Sequence, residues 1–363
     1  MSDRVVPIAD TPEALTATWL TDALRASGHL GEGRVDHVEL SPVGTGQMCD
    51  SLRLTLGCDR VTDAPATLVA KLPAADETSR ATALSLRSYE NEVRFYQQLA
   101  SDLTVRTPQV FHADIDTETA AFVLLLEDLA PGRPGDQLAG CTPEVAAVAV
   151  DELVRLHAPR WSDPALAELE WLHRDKEANQ RFMLTLLPGL WDGFRDRYGA
   201  GLGPDVYTAG DALFADLEAY LLADTEPWTI SHGDYRLDNL LFDPSPGGVP
   251  VAVVDWQTCT HGPGLSDVAY FVGAGLSPED RAACEADLVR AYHVALGEAG
   301  VTDYPPDRCW VDYRRGTWHG LVMAVAASML VERTDRGDHM FLTMAARHAR
   351  HALDLDAPEV LGA

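Results

Sequence analysis

Three oxygen-bearing side chains past the middle of the chain have types and spacing suited to chemistry on a phosphate. In HGDYRLDNLLF, residues 232–242, Asp234 and Asn239 stand five apart, and Asp255, sixteen residues further on, closes the apolar run of VAVVDW. A carboxylate in such a set can accept a proton from a hydroxyl. An amide oxygen and a second carboxylate suit Mg2+, a hard cation that prefers oxygen ligands. Phosphoryl transfer asks for that combination, because it needs positioning and charge neutralisation more than covalent chemistry. His232, followed by a glycine and set among apolar residues, reads as a structural, hydrogen-bonding histidine rather than a base or a ligand.

A second group lies far upstream. Lys71 sits inside the apolar run LVAKLP and is one of only two lysines, with Lys176; every other base is arginine. A buried lysine needs an anionic partner. The helical stretch that follows offers Glu90 and Glu92, which fall on different helix faces, so only one can turn toward the sheet. Glu92 precedes Phe95 and Tyr96 by three and four residues, along the apolar stripe, and is the preferred partner. Further upstream, Gly44-Thr45-Gly46, followed by Gln47 and Ser51, separates two strand-like runs. Glycines there let backbone N–H groups approach an anion closely, a pattern that plain turns share. The element after them reads as a strand, which excludes a dinucleotide-binding fingerprint and a Walker A loop.

The elements that must position these residues follow from periodicity. Residues 11–29 read as a Thr-capped helix. Residues 35–43, 51–57 and 66–72 alternate as strands, 80–101 has helical period, and 108–116 and 120–129 are two more strands joined by a polar turn. The first 130 residues are therefore expected to form a five-stranded, mostly antiparallel sheet with one long internal helix, an α+β arrangement. The Gly/Pro-rich break APGRPGDQLAG at 130–140 marks the expected lobe boundary, dividing 1–130 from 131–363. The second lobe reads as mostly helical, with helices at 142–158, 175–199, 205–223, 265–273, 278–299, 307–332 and 335–354. LLF and VAVVDW make two short strands around the PSPGGVP turn.

Composition narrows the function. A chain of 363 residues with 46% hydrophobic content suits two lobes and excludes disorder. No apolar run approaches the roughly 18 residues of a membrane span, and MSDRVVPIADTPEAL lacks the regions of a signal peptide. Six scattered cysteines without a C-x-x-C pair argue against a zinc site or disulfide framework and for the cytoplasm. A net charge of −28 repels nucleic acid and anionic membrane, so neither is an expected partner. Residues 1–130 carry 20 acids and 10 bases. The acid excess per residue is nearly the same in the rest of the chain, which fits a solvated surface better than a trap for polycations.

In order along the chain, GTG at 44, LVAK at 68, ENEVRFY at 90, VLLLEDL at 123, HGDYRLDN at 232 and VVDW at 253 resemble the aminoglycoside phosphotransferase-like kinases. This is the small-molecule branch of the protein-kinase-like fold and includes choline, fructosamine and ecdysteroid kinases. HGDxxxxN followed by a strand ending in Asp is the specific part of the match. DQLAGCT, LVRLHAPRW and the C-terminal TDRGDHMFLTMAARHARHALDL look most like a bacterial branch near the ecdysteroid-kinase-like proteins. The resemblance implies a bilobal fold with ATP and Mg2+ as cofactors. Lys71 would bind the α/β-phosphates, oriented by Glu92, with Gly44, Gly46 and Ser51 in the phosphate loop region. Backbone groups of Glu127 and Leu129 would read adenine. Asp234 would align or deprotonate the acceptor hydroxyl, and Asn239 and Asp255 would hold Mg2+. Asp267, in GLSDVAY, matches a family aspartate that braces the catalytic loop. Asp255-Trp256 stands where protein kinases have Asp-Phe-Gly, and no activation loop closed by Ala-Pro-Glu follows it, the one Ala-Pro-Glu lying at 357–359 near the end of the sequence; both count against a protein kinase.

The expected activity is transfer of the γ-phosphate to a hydroxyl of a small molecule, by a monomer or homodimer. Acceptor choice is expected from helices at 160–225 and 280–354. Seven of eight tryptophans follow residue 131, and they either fill core or line an apolar pocket. An aromatic second lobe without local acid excess leans toward a lipophilic alcohol or natural product. One alternative is an aminoglycoside or other antibiotic resistance kinase. Another is a non-catalytic pseudokinase acting as a binding module, against which the intact Lys71, Asp234, Asn239 and Asp255 argue.

Overall fold

The computed structural model describes residues 6–44, 48–173, 175–223, 225–243, 245 and 247–362. The chain forms two compact units that interleave in sequence. One takes Met1–Ser101, Thr107–Pro131 and Asp255–Gln257; the other takes Asp102–Arg106, Gly132–Val254 and Thr258–Ala363. One division falls inside APGRPGDQLAG, and the exchanged segments follow from backbone pairing: the Val253 amide donates to the Arg106 carbonyl at 2.8 Å within the second unit.

The first unit opens with helix α1 (Ala17–Ala26), whose Thr16 cap accepts from the Trp19 amide at 3.2 Å. Pro12–Ala14 is a separate 3-10 turn, so the helix expected over 11–29 starts at the second threonine with a working cap. Strands β1 (Val35–Pro42), β2 (Cys49–Cys58) and β3 (Thr67–Pro73) follow, then helices α2 (Glu77–Ser85) and α3 (Ser88–Gln98), then β4 (Val110–Asp116) and β5 (Ala121–Glu127). The sheet order is β1-β2-β3-β5-β4, with every neighbour antiparallel. Side chains alternate across a strand. Leu68, Ala70 and Leu72 of β3 pack in one core with Leu54, Val123, Leu125 and Trp19, Leu20 and Leu24 of α1. Lys71, between Ala70 and Leu72, therefore takes the opposite face.

The single helix expected over 80–101 is two helices, broken where Arg87 adopts a left-handed φ of 57°. Only Ala83 of α2 is buried, whereas α3 buries Tyr89, Glu92, Val93 and Tyr96. Those four follow the i, i+3, i+4, i+7 rule of a core-facing stripe, and the break lets α3 present it free of the α2 axis.

The second unit contains β6 (Arg133–Pro134), α4 (Pro143–His157), α5 (Lys176–Tyr198), α6 (Pro204–Ala215), α7 (Leu217–Leu222), β7 (Thr229–Ser231), β8 (Leu240–Phe242), β9 (Ala252–Val253) and β10 (Thr260–Gly262). Helices α8 (Leu265–Gly275), α9 (Pro278–Glu298), α10 (Pro306–Leu330) and α11 (Asp335–Asp354) complete it. Strands β6, β8 and β9 form one small antiparallel sheet, and β7 pairs with β10. The strand expected over VAVVDW is reduced to two ladder residues, and past them the Val254 amide donates to Asn239 O at 3.0 Å, beyond the end of β8. The helix expected over 205–223 breaks at Asp216, where ψ turns to 37°. Trp191 and Trp318 lie in the helical core with Phe194, Tyr270, Leu321 and Met344, and Trp171 is also buried. These tryptophans fill core rather than line a pocket. Among the described residues no helix is long and apolar enough to cross a membrane.

Candidate active site

In the first unit the buried face of the sheet carries an ion cluster. Lys71 Nζ lies 2.6 and 2.7 Å from the two Glu92 oxygens and 3.2 Å from Asp255 Oδ1. Glu92 is fully buried and Lys71 nearly so. Glu90 points elsewhere and accepts from Arg87 Nε at 2.8 Å. Burial alone would lower the Lys71 amine, but the carboxylates of Asp255 and Glu92 outweigh it and hold the amine well above its ordinary value, as ammonium. Burial pushes the neighbouring Cys49 thiol up to about 11, so it stays protonated. The segment Asp255–Gln257 is fixed by side chains that sequence reasoning did not single out. Asn91 Nδ2 donates to Gln257 O at 2.9 Å, Gln257 Nε2 reaches Glu92 Oε2 at 3.4 Å, and Trp256 stacks on Phe95 at 3.8 Å. Asp255 itself sits at a left-handed φ of 69°, a region that non-glycine residues enter at a cost and that concentrates at functional sites.

Ser51 is directly across the ladder from Lys71, on the same sheet face. Gly44 has a left-handed φ of 77°; Gly46 lies outside the described residues. Glu127 closes β5, where its amide donates to Gln109 O at 2.8 Å and its carboxylate accepts from the Gln109 amide at 3.0 Å. Leu129 follows, half-buried, next to Asp128, which Arg53 grips at 2.7 and 3.0 Å.

In the second unit the HGDYRLDN stretch forms the loop between β7 and β8. Asp234 accepts from Tyr270 Oη at 2.7 Å on Oδ1, from Asn239 Nδ2 at 2.9 Å on Oδ2, and from Arg236 Nε at 3.1 and 3.0 Å. Arg236 also donates to Asp238 at 2.5 Å, and Arg336 meets Asp238 at 3.2 Å. Burial would lower the Arg236 guanidinium, but Asp234 and Asp238 raise it instead.

The loop hangs on Asp267 in the first turn of α8, fully buried. Its carboxylate accepts from the amides of His232 and Gly233 at 2.7 and 2.9 Å, from Ser231 Oγ at 3.0 Å and from His157 Nε2 at 3.2 Å. Burial pushes its carboxyl up, yet those donors prevail and hold it below its ordinary value. His157 Nδ1 meets Tyr292 Oη at 2.7 Å. His232 Nδ1 accepts from the Asp234 amide while Nε2 donates to Val254 O. Both histidines are structural. Gly233, at φ 80°, has no substitute: a Cβ there would stand 2.6 Å from Thr258 O.

In the second unit the chemistry of Asn239 suits a magnesium ion: it spends its Nδ2 on Asp234 O and Oδ2, both at 2.9 Å, which turns its carbonyl oxygen, a hard donor, the other way. In the first unit the Asp255 carboxylate is a hard donor of the same kind. No group of three or more His, Cys, Asp or Glu able to hold a metal occurs among the described residues. Magnesium needs no such cage, since it binds through one or two protein oxygens plus waters and substrate phosphates.

A family model described as the phosphotransferase enzyme family matches residues 59–308. The chain belongs to that family. Its five-stranded antiparallel sheet and mostly helical second unit make it α+β. Among curated relatives, this phosphotransferase is 52% identical over 42 residues to acyl-CoA dehydrogenase family member 10 of Mus musculus, which is 12% of this chain and 4% of that protein. It is 35% identical over 77 residues to acyl-CoA dehydrogenase family member 11 of Gallus gallus, 21% of this chain and 10% of that protein. The phosphotransferase thus spans no more than a tenth of either relative. A solved macrolide 2'-phosphotransferase from Brachybacterium faecium shares 18% identity over 92% of this chain and 98% of that one, with a TM-score of 0.42.

Proposed function

We propose that the chain is an ATP- and Mg2+-dependent O-phosphotransferase that passes the γ-phosphoryl group in line to a hydroxyl of a lipophilic small molecule. The observation that carries this reading is the Lys71 ammonium, buried and within hydrogen-bond reach of both Glu92 oxygens and of Asp255. A cation fixed in this way by acids is positioned for the α/β-phosphates of a nucleotide, with Glu92 setting its direction. Gly44, Gly46 and Ser51 would contribute at the phosphates, and backbone groups of Glu127 and Leu129 at adenine.

Asn239 and Asp255 would hold Mg2+, which when bound neutralises charge on the phosphate oxygens. Asp234 does the work at the acceptor. Its carboxylate aligns the incoming oxygen and takes the hydroxyl proton as the new O–P bond forms. For that hydroxyl to reach Asp234 one present donor must yield. Arg236 is suited to do so, because its Nε is shared between two oxygens and its other end is anchored on Asp238.

Two observations support a lipophilic rather than polycationic acceptor. Guanidinium groups, Arg236 on Asp234 and Arg336 on Asp238, already occupy the surroundings of the acceptor base and would repel a polyamine. The curated relatives carry acyl-CoA dehydrogenase names, in keeping with an alcohol on an acyl chain. The test is phosphate transfer from Mg·ATP across a panel of hydroxylated acyl chains, sterols, macrolides and aminoglycosides. Turnover on aminoglycosides alone would overturn the lipophilic reading. A Mg·ATP thermal shift without turnover on any alcohol would favour the binding-module alternative.

A further inference from the structure

The reading of Asp234 as the acceptor's base leaves open what fixes the plane of its carboxylate. Of its three side-chain donors, Arg236 comes from the loop itself and is shared with Asp238. Asn239 is buried in the loop, held to both the backbone and the carboxylate of Asp234. Tyr270 comes from outside the loop altogether. It lies on α8, one helical turn beyond Asp267, so the helix that anchors the loop backbone through Asp267 also presents a phenol to the base. The Tyr270 ring is almost fully buried. It lies parallel to His348 of α11, with centroids 5.3 Å apart and planes 3° apart, and meets His319 of α10 edge-on at 5.3 Å. His319 in turn bonds Gly233 O through Nε2 at 2.8 Å. The ring therefore has no room to turn. Its hydroxyl carries one proton, which points at Asp234 Oδ1, 2.7 Å away.

We infer that Tyr270 is a positioning residue for the transfer, fixing Asp234 Oδ1 through its phenol so that the acceptor hydroxyl meets the carboxylate in one orientation. This rests on the proposal that Asp234 is the base. The charged and titratable groups facing the Tyr270–Asp234 contact are Arg236 and Asp238 from the loop, His319 from α10 and His348 from α11. Burial keeps the phenol protonated, its hydroxyl raised well above the ordinary tyrosine value, so it donates throughout the working range.

The test is Tyr270→Phe, which keeps the ring and its stacking and deletes one oxygen. Turnover with Mg·ATP and the best alcohol of the panel is expected to fall about tenfold to a hundredfold in kcat, the range that misplacement of a reacting group produces. KM for ATP and KM for the alcohol should stay unchanged, a split that a general loss of structure would not give. An unchanged kcat in Tyr270→Phe beside a large loss in Asp234→Asn overturns the inference, as does a fall in kcat matched by a rise in both KM values. If Asp234→Asn keeps full activity, the reading of Asp234 as base fails instead. Circular dichroism and thermal unfolding of Tyr270→Phe check that the fold is kept.

Discussion

The two units hold their buried carboxylates by different physics. In the first, Glu92 is matched by a formal opposite charge, with Lys71 Nζ on both of its oxygens. In the second, Asp267 is surrounded by dipoles: two backbone amides, a serine hydroxyl and a histidine ring. A buried ion pair is costly to break, because removing one partner strands the other charge. A carboxylate in a cradle of donors instead depends on geometry, and two of its donors are backbone amides of the very loop it braces. Under the proposed reading, charge is kept where a charged ligand is to be bound, and geometry where a hydroxyl is to be aligned.

Variants can break this comparison, beginning with the largest expected effect. Asp234→Asn should lower kcat by about 10²- to 10⁴-fold, the range for losing a general base, while leaving the Mg·ATP thermal shift intact; full activity would remove Asp234 from its role. Lys71→Ala strands Glu92 and should destabilise the protein by about 3–5 kcal/mol in urea unfolding, with loss of the nucleotide thermal shift. If the charge logic holds, Lys71→Met combined with Glu92→Leu should recover much of that stability without recovering activity. Asp267→Asn sets an amide against amide donors and should cost about 3 kcal/mol near neutral pH. Here the sign is definite. The folded carboxyl lies below the ordinary value of 3.8, so its contribution is complete above 3.8 and is lost as pH falls through the lower folded value. The stability gap between wild type and Asp267→Asn should close only in that acid range; a gap that widens on acidification would refute the donor cradle. Glu90→Ala should change stability by less than about 0.5 kcal/mol, as for an exposed i,i+3 pair, and an effect near that of Glu92→Ala would undo the distinction between the two acids.

What could be read from the sequence was what period and type encode locally. The isolation of Lys71 in the apolar run LVAKLP pointed to a buried lysine with an acid partner, and the spacing of Glu92 to Phe95 and Tyr96 put that acid on the stripe of α3. The five strands were legible for the same reason. The break at Arg87 was not, since ALSLRSYE contains neither glycine nor proline and a left-handed arginine leaves no local mark. The β7–β10 pairing was also missed, being two three-residue strands too short to show alternation. Among site residues, the partners that lie far off in sequence went unread: His157 reaches Asp267 across 110 positions and Asn91 reaches Gln257 O across 166. Tyr270 had a faint signal, its spacing of three from Asp267 on one helix, but nothing local says that its hydroxyl meets Asp234. The tryptophans of the second unit left core and pocket open because helical spacing serves both, and Trp191 and Trp318 proved to be core.

The Lys71–Glu92 pair has a consequence for chemical labelling. Acylating reagents attack the neutral amine, and an ammonium held well above its ordinary value by neighbouring carboxylates is seldom neutral. Lys71 and Lys176 are the only lysines in the chain, so a digest after acylation offers few lysine peptides to tell apart by mass. The rate at which Lys71 acquires an acyl tag then becomes a gauge of the ion pair, slow in the wild type and faster in Glu92→Gln. Occupancy of the proposed nucleotide site can be followed in the same peptide, in cell extract, without any acceptor alcohol in hand.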